Sequence, residues 1–531
     1  MDSEVVNVPF NWSTFWTCLA LGFGMFVNGY LSGVIGTTLA DPGFLVYMGL
    51  VDRDGEPTDN SEALIGASTG VFQAGGFIGV LVGSWLLDRF GRKYTAITVA
   101  AYCAVSQAVT AASQNVGMFI ALRFFVGAAA FMEMSITPVY VAELAPTRTR
   151  GLLVGITGVW VAVGYAMAAY FGAAFFSLGK TVQWRLPLAL GVVWPLLLLP
   201  ALLAIPESPR YLLMKDRAEE ALAVVLKQHA TPGREDDARA AFYQMQRQAE
   251  LDCTRDASWV GFLKHKTHRR RGALVLILGF LAQTSGNLVV NNYGPSLYGA
   301  QGYGPYDQVR FQCGYITTAI IFSIIGSLLV DRLGRRLILI CGLTGCACMI
   351  SLETAMVACY AEAGTNQAGL AVGVAALYLF ESSYCFSVDV CLFVVSSELF
   401  PNHLRSKGVA LAIGACNLTN IVLLTTAPTA FRHVGWRFFL LFIITTACGV
   451  VFLYFFLPET SSIPLEETAA VFGLIEEVAV QAKDIYVDHT THEITIHHHH
   501  DDIKQASGPG IRQPDPEKES RTVHEEVVIK E

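Results

Sequence analysis

Apolar residues in this chain come in unbroken runs separated by short polar stretches, not at alternate positions of a strand or on one face of a polar helix. Twelve such runs lie near residues 14–36, 62–87, 94–112, 116–142, 152–176, 184–205, 272–298, 312–330, 337–360, 369–399, 408–430 and 436–457. A helix needs about 20 apolar residues to cross a bilayer. The pattern therefore predicts an all-α membrane protein with twelve spanning helices. Two polar stretches are too long to be turns, and they set the organisation: a lead at 1–13, a six-helix unit at 14–205, an insert at 206–271, a second six-helix unit at 272–457 and a tail at 458–531.

Composition agrees with the pattern. The 531 residues are 53% hydrophobic and 15% charged, with a mean hydropathy of +0.46, which excludes a set of ordinary soluble domains. No basic, cleavable leader precedes the first run, so that run is expected to stay in the membrane. The twelve cysteines mostly sit inside apolar runs, as Cys341, Cys346 and Cys348 do, without zinc or paired extracellular spacing; reduced thiols and no metal or cofactor are expected. In the tail, LEETAAVFGLIEEVAVQA (465–482) reads as an amphipathic helix, and residues 483–531, including His497 to His500, as disordered polar chain.

The net charge of −8 matters less than where the charges fall. Lys and Arg crowd into alternate loops (Arg89, Arg92, Lys93; Arg148, Arg150; Arg332, Arg335, Arg336; Arg405, Lys407) and into the insert, whereas the opposite loops offer only Arg53, Lys180, Arg310 and Arg432. By the positive-inside rule both termini and the insert face the cytoplasm. The basic loops also repeat. DRFGRK (88–93) returns as DRLGRR (331–336), AELAPTRTRG (142–151) as SELFPNHLRSKG (397–408), and PESPR (206–210) as PETSS (458–462). Two six-helix halves with the same signatures in the same order make the parallel-repeat plan of a carrier with a midplane site between its halves. Arginine offers a bidentate fork to carboxylates. Glu143, Glu207, Glu398 and Glu459 are therefore expected to pair across the halves with Arg89, Arg92, Arg150, Arg210, Arg332, Arg335, Arg336 and Arg405, as a gate of weak exposed ion pairs on the inner face.

These motifs, with PVYVAELAPTRTRG and PESPRYLL as they stand here, resemble the sugar porter family of the major facilitator superfamily, and TLADPGFL and the insert resemble its fungal members. The resemblance covers about 14–473 and implies the major facilitator fold, two six-helix pseudo-repeats and a small-molecule substrate moved across a lipid bilayer, with no nucleic acid partner. It also shows departures. The first helix of the family carries Gly-Tyr-Asp, whose aspartate takes up the proton in coupled members beside an arginine of the fourth helix; here the stretch reads Gly29-Tyr30-Leu31, while Arg123 keeps the arginine's place. The fifth-helix glutamine is replaced by Gly158, and the tenth-helix segment that breaks the helix and brings a stacking tryptophan reads SVDVCLF (387–393), leaving Phe393 as the one ring there. The eleventh-helix Asn-Trp pair is Asn417-Leu418.

Within the pocket, Gln283, Asn287 and Asn291 stand at i, i+4 and i+8 of the seventh helix, one face of a helix, with Asn292 and Tyr293 near its end and Gly294-Pro295 as the expected hinge. Amides donate and accept, which suits vicinal hydroxyls. Ionisable groups inside a span are functional candidates by default. Asp389 should face the cavity, and Glu133 is the candidate to replace the absent first-helix acid, with Arg123 on the same helix and protons a candidate co-substrate. The reading is a carrier of a monosaccharide, polyol or related hydroxylated molecule, acting as a facilitator in the plasma membrane. Two alternatives remain on the same residues: a carrier or exporter of a specialised metabolite or an organic acid such as quinate, and a receptor that binds sugar without moving it.

Overall fold

The structure, a computed structural model, describes residues 11–39, 41–52, 58, 60–175, 182–230, 235–255, 258–300, 302–360 and 367–460, with 485–488, 493–496 and 525–527 in the tail. The amphipathic helix expected at 465–482, the histidines at 497–500, and Arg53 and Lys180 lie outside the described residues.

Among the described residues each of the twelve apolar runs is helical over most of its length, the seventh with a break. The first half holds α1 (Trp12–Leu39), a short α2 (Pro42–Tyr47), α3 (Ser61–Phe90), α4 (Arg92–Ala111), α5 (Val116–Leu144), α6 (Arg150–Phe175) and α7 (Val182–Ala204). The insert folds as α8 (Pro209–Met214), α9 (Ala218–His229), α10 (Glu235–Cys253) and α11 (Trp259–Lys264). In the second half the seventh span is divided into α12 (Lys266–Thr284) and α13 (Asn287–Ala300), followed by α14 (Pro305–Leu333), α15 (Arg335–Tyr360), α16 (Gln367–Glu398), α17 (Arg405–Val434) and α18 (Phe439–Phe456). The repeat seen in the sequence is a repeat of turns. Gly91 between α3 and α4 and Gly334 between α14 and α15 take φ of +87° and +85°, a region that glycine enters without steric cost.

Large apolar side chains such as Trp85, Leu203, Leu328, Val422, Ile444 and Phe455 are exposed on the outside of the bundle, as a lipid-facing surface requires. Inside, small residues bring helices together. A Cβ on Gly29 of α1 would lie 2.2 Å from the carbonyl oxygen of Val161 on α6, so these two helices touch backbone to backbone. The sequence GASTG (66–70) lies in α3, where Gly70 packs on Thr425 of α17. All twelve cysteines are free thiols; Cys346 is buried, while Cys341 and Cys348 lie on the outside rather than packed within.

The insert has its own small core of Leu212, Leu213, Ala221, Val225, Ala238, Met245 and Ala249, and it touches both halves on their arginine-rich face. His229 of α9 meets the Leu144 carbonyl at 2.9 Å, and Asp252 of α10 meets His403, at the entry to α17, at 3.2 Å; both side chains of the second pair are buried. The tail departs from the expected disordered chain. Ile485–Asp488 pairs antiparallel with Glu493–Ile496, which pairs antiparallel with Glu525–Val527. Alternation of β-branched and polar residues in IYVD and EITI accounts for the first two strands.

Candidate functional site

Between the halves lies a cavity with about 740 Å³ of atom-free space, part of it open to solvent. The first half contributes Asn28 and Ser32 of α1, Gln73 of α3 and Tyr165 of α6; the second contributes Gln283 of α12, Asn287 and Asn291 of α13, Glu381 and Asp389 of α16, and Asn420 of α17. Phe131, Tyr384 and Cys416 supply some of its apolar wall. Several of these groups are fixed from behind. Asn28 donates to the Ala130 carbonyl at 2.9 Å, and the Tyr315 hydroxyl donates to Glu381 at 2.7 Å while lying 3.4 Å from the Asn287 oxygen.

Four of the expected substrate residues line this cavity: Gln283, Asn287, Asn291 and Asp389. They do so although the helix carrying the three amides is interrupted. The break falls at Ser285-Gly286, not at Gly294-Pro295 as expected, because Gly286 takes φ +92° and a Cβ there would meet the Phe442 ring at 2.6 Å. Pro295 lies inside α13. The other four expected residues are elsewhere. Asn292 donates to Leu288 of its own helix, Tyr293 donates to the Leu424 carbonyl at 3.0 Å, Phe393 is buried in the core shared with the first half, and Asn417 is fully buried against Gly76. Phe393 therefore has no open face to stack on a ligand.

Gly158, where the family carries glutamine, packs on α16 so closely that a Cβ would lie 3.0 Å from the Asp389 carbonyl oxygen. A side chain at 158 would require the α16 backbone at Asp389 to give way by a few tenths of an ångström. Arg123 is buried with its guanidinium 4.0 Å from the centre of the Phe72 ring and 3.4 Å from the Leu31 carbonyl. No carboxylate contacts it among the described residues, so the place vacated by the first-helix acid is filled by a ring and a peptide oxygen. Glu133 is also buried but lies inside the first half, against Gly24 of α1, and does not line the cavity.

On the arginine-rich face each half builds the same knot. Arg92 grips Glu143 with two hydrogen bonds at 2.8 and 2.6 Å, and Arg335 meets Glu398 at 3.1 Å. Ser208 donates to Glu143, as Thr460 does to Glu398. Glu207 and Glu459, expected to pair with guanidinium groups, accept backbone N–H groups at the starts of α4 and α15, from Arg92 at 2.9 Å and Arg335 at 3.0 Å. Arg210 donates to the Glu143 carbonyl at 2.6 Å, Arg336 stacks on Tyr454, and Arg89 and Arg332 are exposed. Most of the expected cross-half pairs are thus pairs within one half, and they are buried rather than exposed.

Other contacts on this face do cross between the halves. Arg405 lies 3.5 Å from Glu143, and Arg150 is near enough to Glu398 for their charges to interact. Lys407 and Ser406 both bond Asp88, the latter at 2.6 Å, and Asp331 accepts the Leu152 N–H at 2.8 Å. The aspartates of the DRFGRK and DRLGRR loops were not among the expected gate residues, because their cross-half neighbours are set by tertiary packing. On the opposite face the halves meet through Arg432 and Glu62 at 2.7 Å, both partly exposed, and through Tyr170 and Thr317 at 2.5 Å.

Comparison with known proteins agrees with this architecture. The chain is 28% identical to the MFS-type transporter criB of Aspergillus cristatus over 85% of its length and 91% of that protein's, and 29% identical to the quinate permease of Neurospora africana over 89% and 91%. Its fold matches that of the proton:xylose symporter XylE bound to 6-bromo-6-deoxy-D-glucose with a TM-score of 0.75 at 22% identity, covering 87% of this chain and all of that one. The family described as sugar (and other) transporter matches residues 17–472, and the chain belongs to it: a multi-pass membrane transporter of the major facilitator superfamily, of sugar-porter type.

Proposed function

We propose that this transporter moves a monosaccharide, polyol or related small hydroxylated molecule through the cavity between its halves by alternating access. The observation that carries the reading is the convergence of six amide side chains, Asn28, Gln73, Gln283, Asn287, Asn291 and Asn420, from both halves onto one space. Amides pair with hydroxyls in either direction, and sites near the repeat interface are where such carriers bind. The arginine-rich face is the cytoplasmic one by the positive-inside rule, in the plasma membrane, and its buried cross-half links are the inner gate. The Arg432–Glu62 pair belongs to the outer closure. The insert, touching both halves, acts with the inner gate.

Transport is facilitated diffusion in this reading. Leu31 stands where a titrating acid would, and Arg123 rests on Phe72 rather than on a carboxylate. The test is uptake of radiolabelled glucose, xylose and a polyol into proteoliposomes, with and without an inward proton gradient. Saturable uptake indifferent to the gradient supports a facilitator. Uptake that requires the gradient and loses it in Glu133→Gln makes Glu133 the proton carrier and removes the facilitator reading.

A further inference from the structure

The charged lining of the cavity has one sign. Glu381 and Asp389 face it from one side of α16, about 12 Å apart along the axis at 1.5 Å per residue. No lysine, arginine or histidine lines it among the described residues, and Arg123 is packed away behind Leu31 and Phe72. Glu381 is already engaged, accepting from Tyr315 at 2.7 Å with the Cys385 thiol at 3.5 Å. Asp389 is not. Its side chain is half-buried at the cavity wall, with no hydrogen-bond donor and no opposite charge beside it among the described residues.

Two further acceptors in the same wall are bare. The side-chain oxygens of Gln73 and Asn420, one from each half, have no hydrogen-bond partner among the described residues, and each residue is 3% exposed. Acceptors left unmet away from water cost free energy, and a carboxylate there costs more. The complement to this wall is a molecule dense in N–H and O–H donors that carries positive charge. An ammonium brings three donors and the charge together.

We propose that the cavity selects a hydroxylated molecule bearing a protonated amine, in the class of amino sugars and amino polyols. Asp389 receives the ammonium, the Gln73 and Asn420 oxygens receive further donors, and carboxylate-bearing molecules are rejected. The proposal rests on the reading of this cavity as the transport site for hydroxylated solutes. It separates the chain from its relative named as a quinate permease, since quinate is an anion. The close approach of Gly158 to the Asp389 backbone fits it too, because the residue that would otherwise reach Asp389 from α6 has no side chain.

The test gives proteoliposomes holding the full chain matched concentrations of labelled glucosamine, N-acetylglucosamine, glucose, quinate and choline. Glucosamine uptake should exceed that of glucose and of its uncharged N-acetyl form by at least about tenfold, with quinate excluded. Asp389→Asn should lower the ratio of glucosamine uptake to glucose uptake to about one. If that variant does not reach the membrane, the wild-type ratio of glucosamine to N-acetylglucosamine decides. Equal uptake of glucose and glucosamine, or saturable uptake of quinate, overturns the charge preference and leaves the hydroxylated-solute reading intact. Choline taken up in preference to glucosamine overturns the hydroxylated-solute reading and the proposal built on it, as does uptake of none of the five. Gradient-driven glucose uptake that Asp389→Asn abolishes, with no preference for the amine, assigns the carboxylate to a proton and overturns the proposal.

Discussion

Arg405 of the second half lies 3.5 Å from the Glu143 oxygen that Arg92 of the first half holds at 2.6 Å. One carboxylate therefore serves both as the centre of a knot within its own half and as the anchor for the other. Arg405 leaves when the halves part; Arg92 need not. Removing the carboxylate strands two buried guanidinium groups. Glu143→Gln should lower stability by about 3–5 kcal/mol, seen as a depressed Tm of the purified protein in detergent.

Arg405→Ala removes the crossing link, together with the bond from Arg405 to the Ser397 carbonyl at 3.0 Å in its own half, and leaves the Arg92–Glu143 knot in place. It should shift the protein toward the state open on the arginine-rich face, read as a longer distance between spin labels placed on the two halves at that end. Distances unchanged from wild type would show that Lys407 and Ser406 on Asp88 hold the face closed without it.

The opposite face predicts a contrast. Arg432 and Glu62 are 70% and 37% exposed, and exposed pairs contribute about 0–1 kcal/mol. Glu62→Gln should change Tm and KM little, with KM moving less than about twofold. A larger effect would mean that the outer closure depends on this pair.

Gln283 and Asn292 are both amides of the divided seventh span, but only Gln283 lines the cavity. Gln283→Ala should raise the KM of whichever solute is carried by roughly tenfold, the loss of one or two hydrogen bonds. Asn292→Ala should leave KM within about twofold of wild type, since its bond is to its own helix. Uptake kinetics in proteoliposomes check both.

Asp252 and His403 join the insert to the second half through a buried contact. Asp252→Ala should loosen the insert, seen as faster amide hydrogen exchange in α10 than in α9, which stays docked through His229. Equal exchange in the two helices would show that the insert moves as one piece.

The spans, the two halves and the basic face were legible because each depends on residues close in sequence: an apolar run sets a helix, and DRFGRK and DRLGRR mark the same turn twice. The amides Gln283, Asn287 and Asn291 were legible for the same reason. The first half's share of the cavity was not. Asn28, Ser32, Gln73 and Tyr165 sit in apolar runs with nothing local to distinguish them from packing residues, and only the meeting of α1, α3 and α6 with α13 and α16 gives them a common space. Phe393 misled in the opposite way, as an aromatic at a site position whose ring is used for packing. The break at Gly286 was hidden by the stronger sequence signal at Gly294-Pro295, although the helix runs on through Pro295, the ninth of the fourteen residues of α13.

Glu207 follows the sixth span yet bonds the first residues of α4, and Glu459 follows the twelfth yet bonds the first residues of α15. Each bundle is thus tied off by residues that leave the ribosome just after its last helix. The first bundle can close on itself while the second is still being made, and the chain should assemble in two successive steps. Two separately synthesised polypeptides, divided within the insert, would carry everything each bundle needs to close.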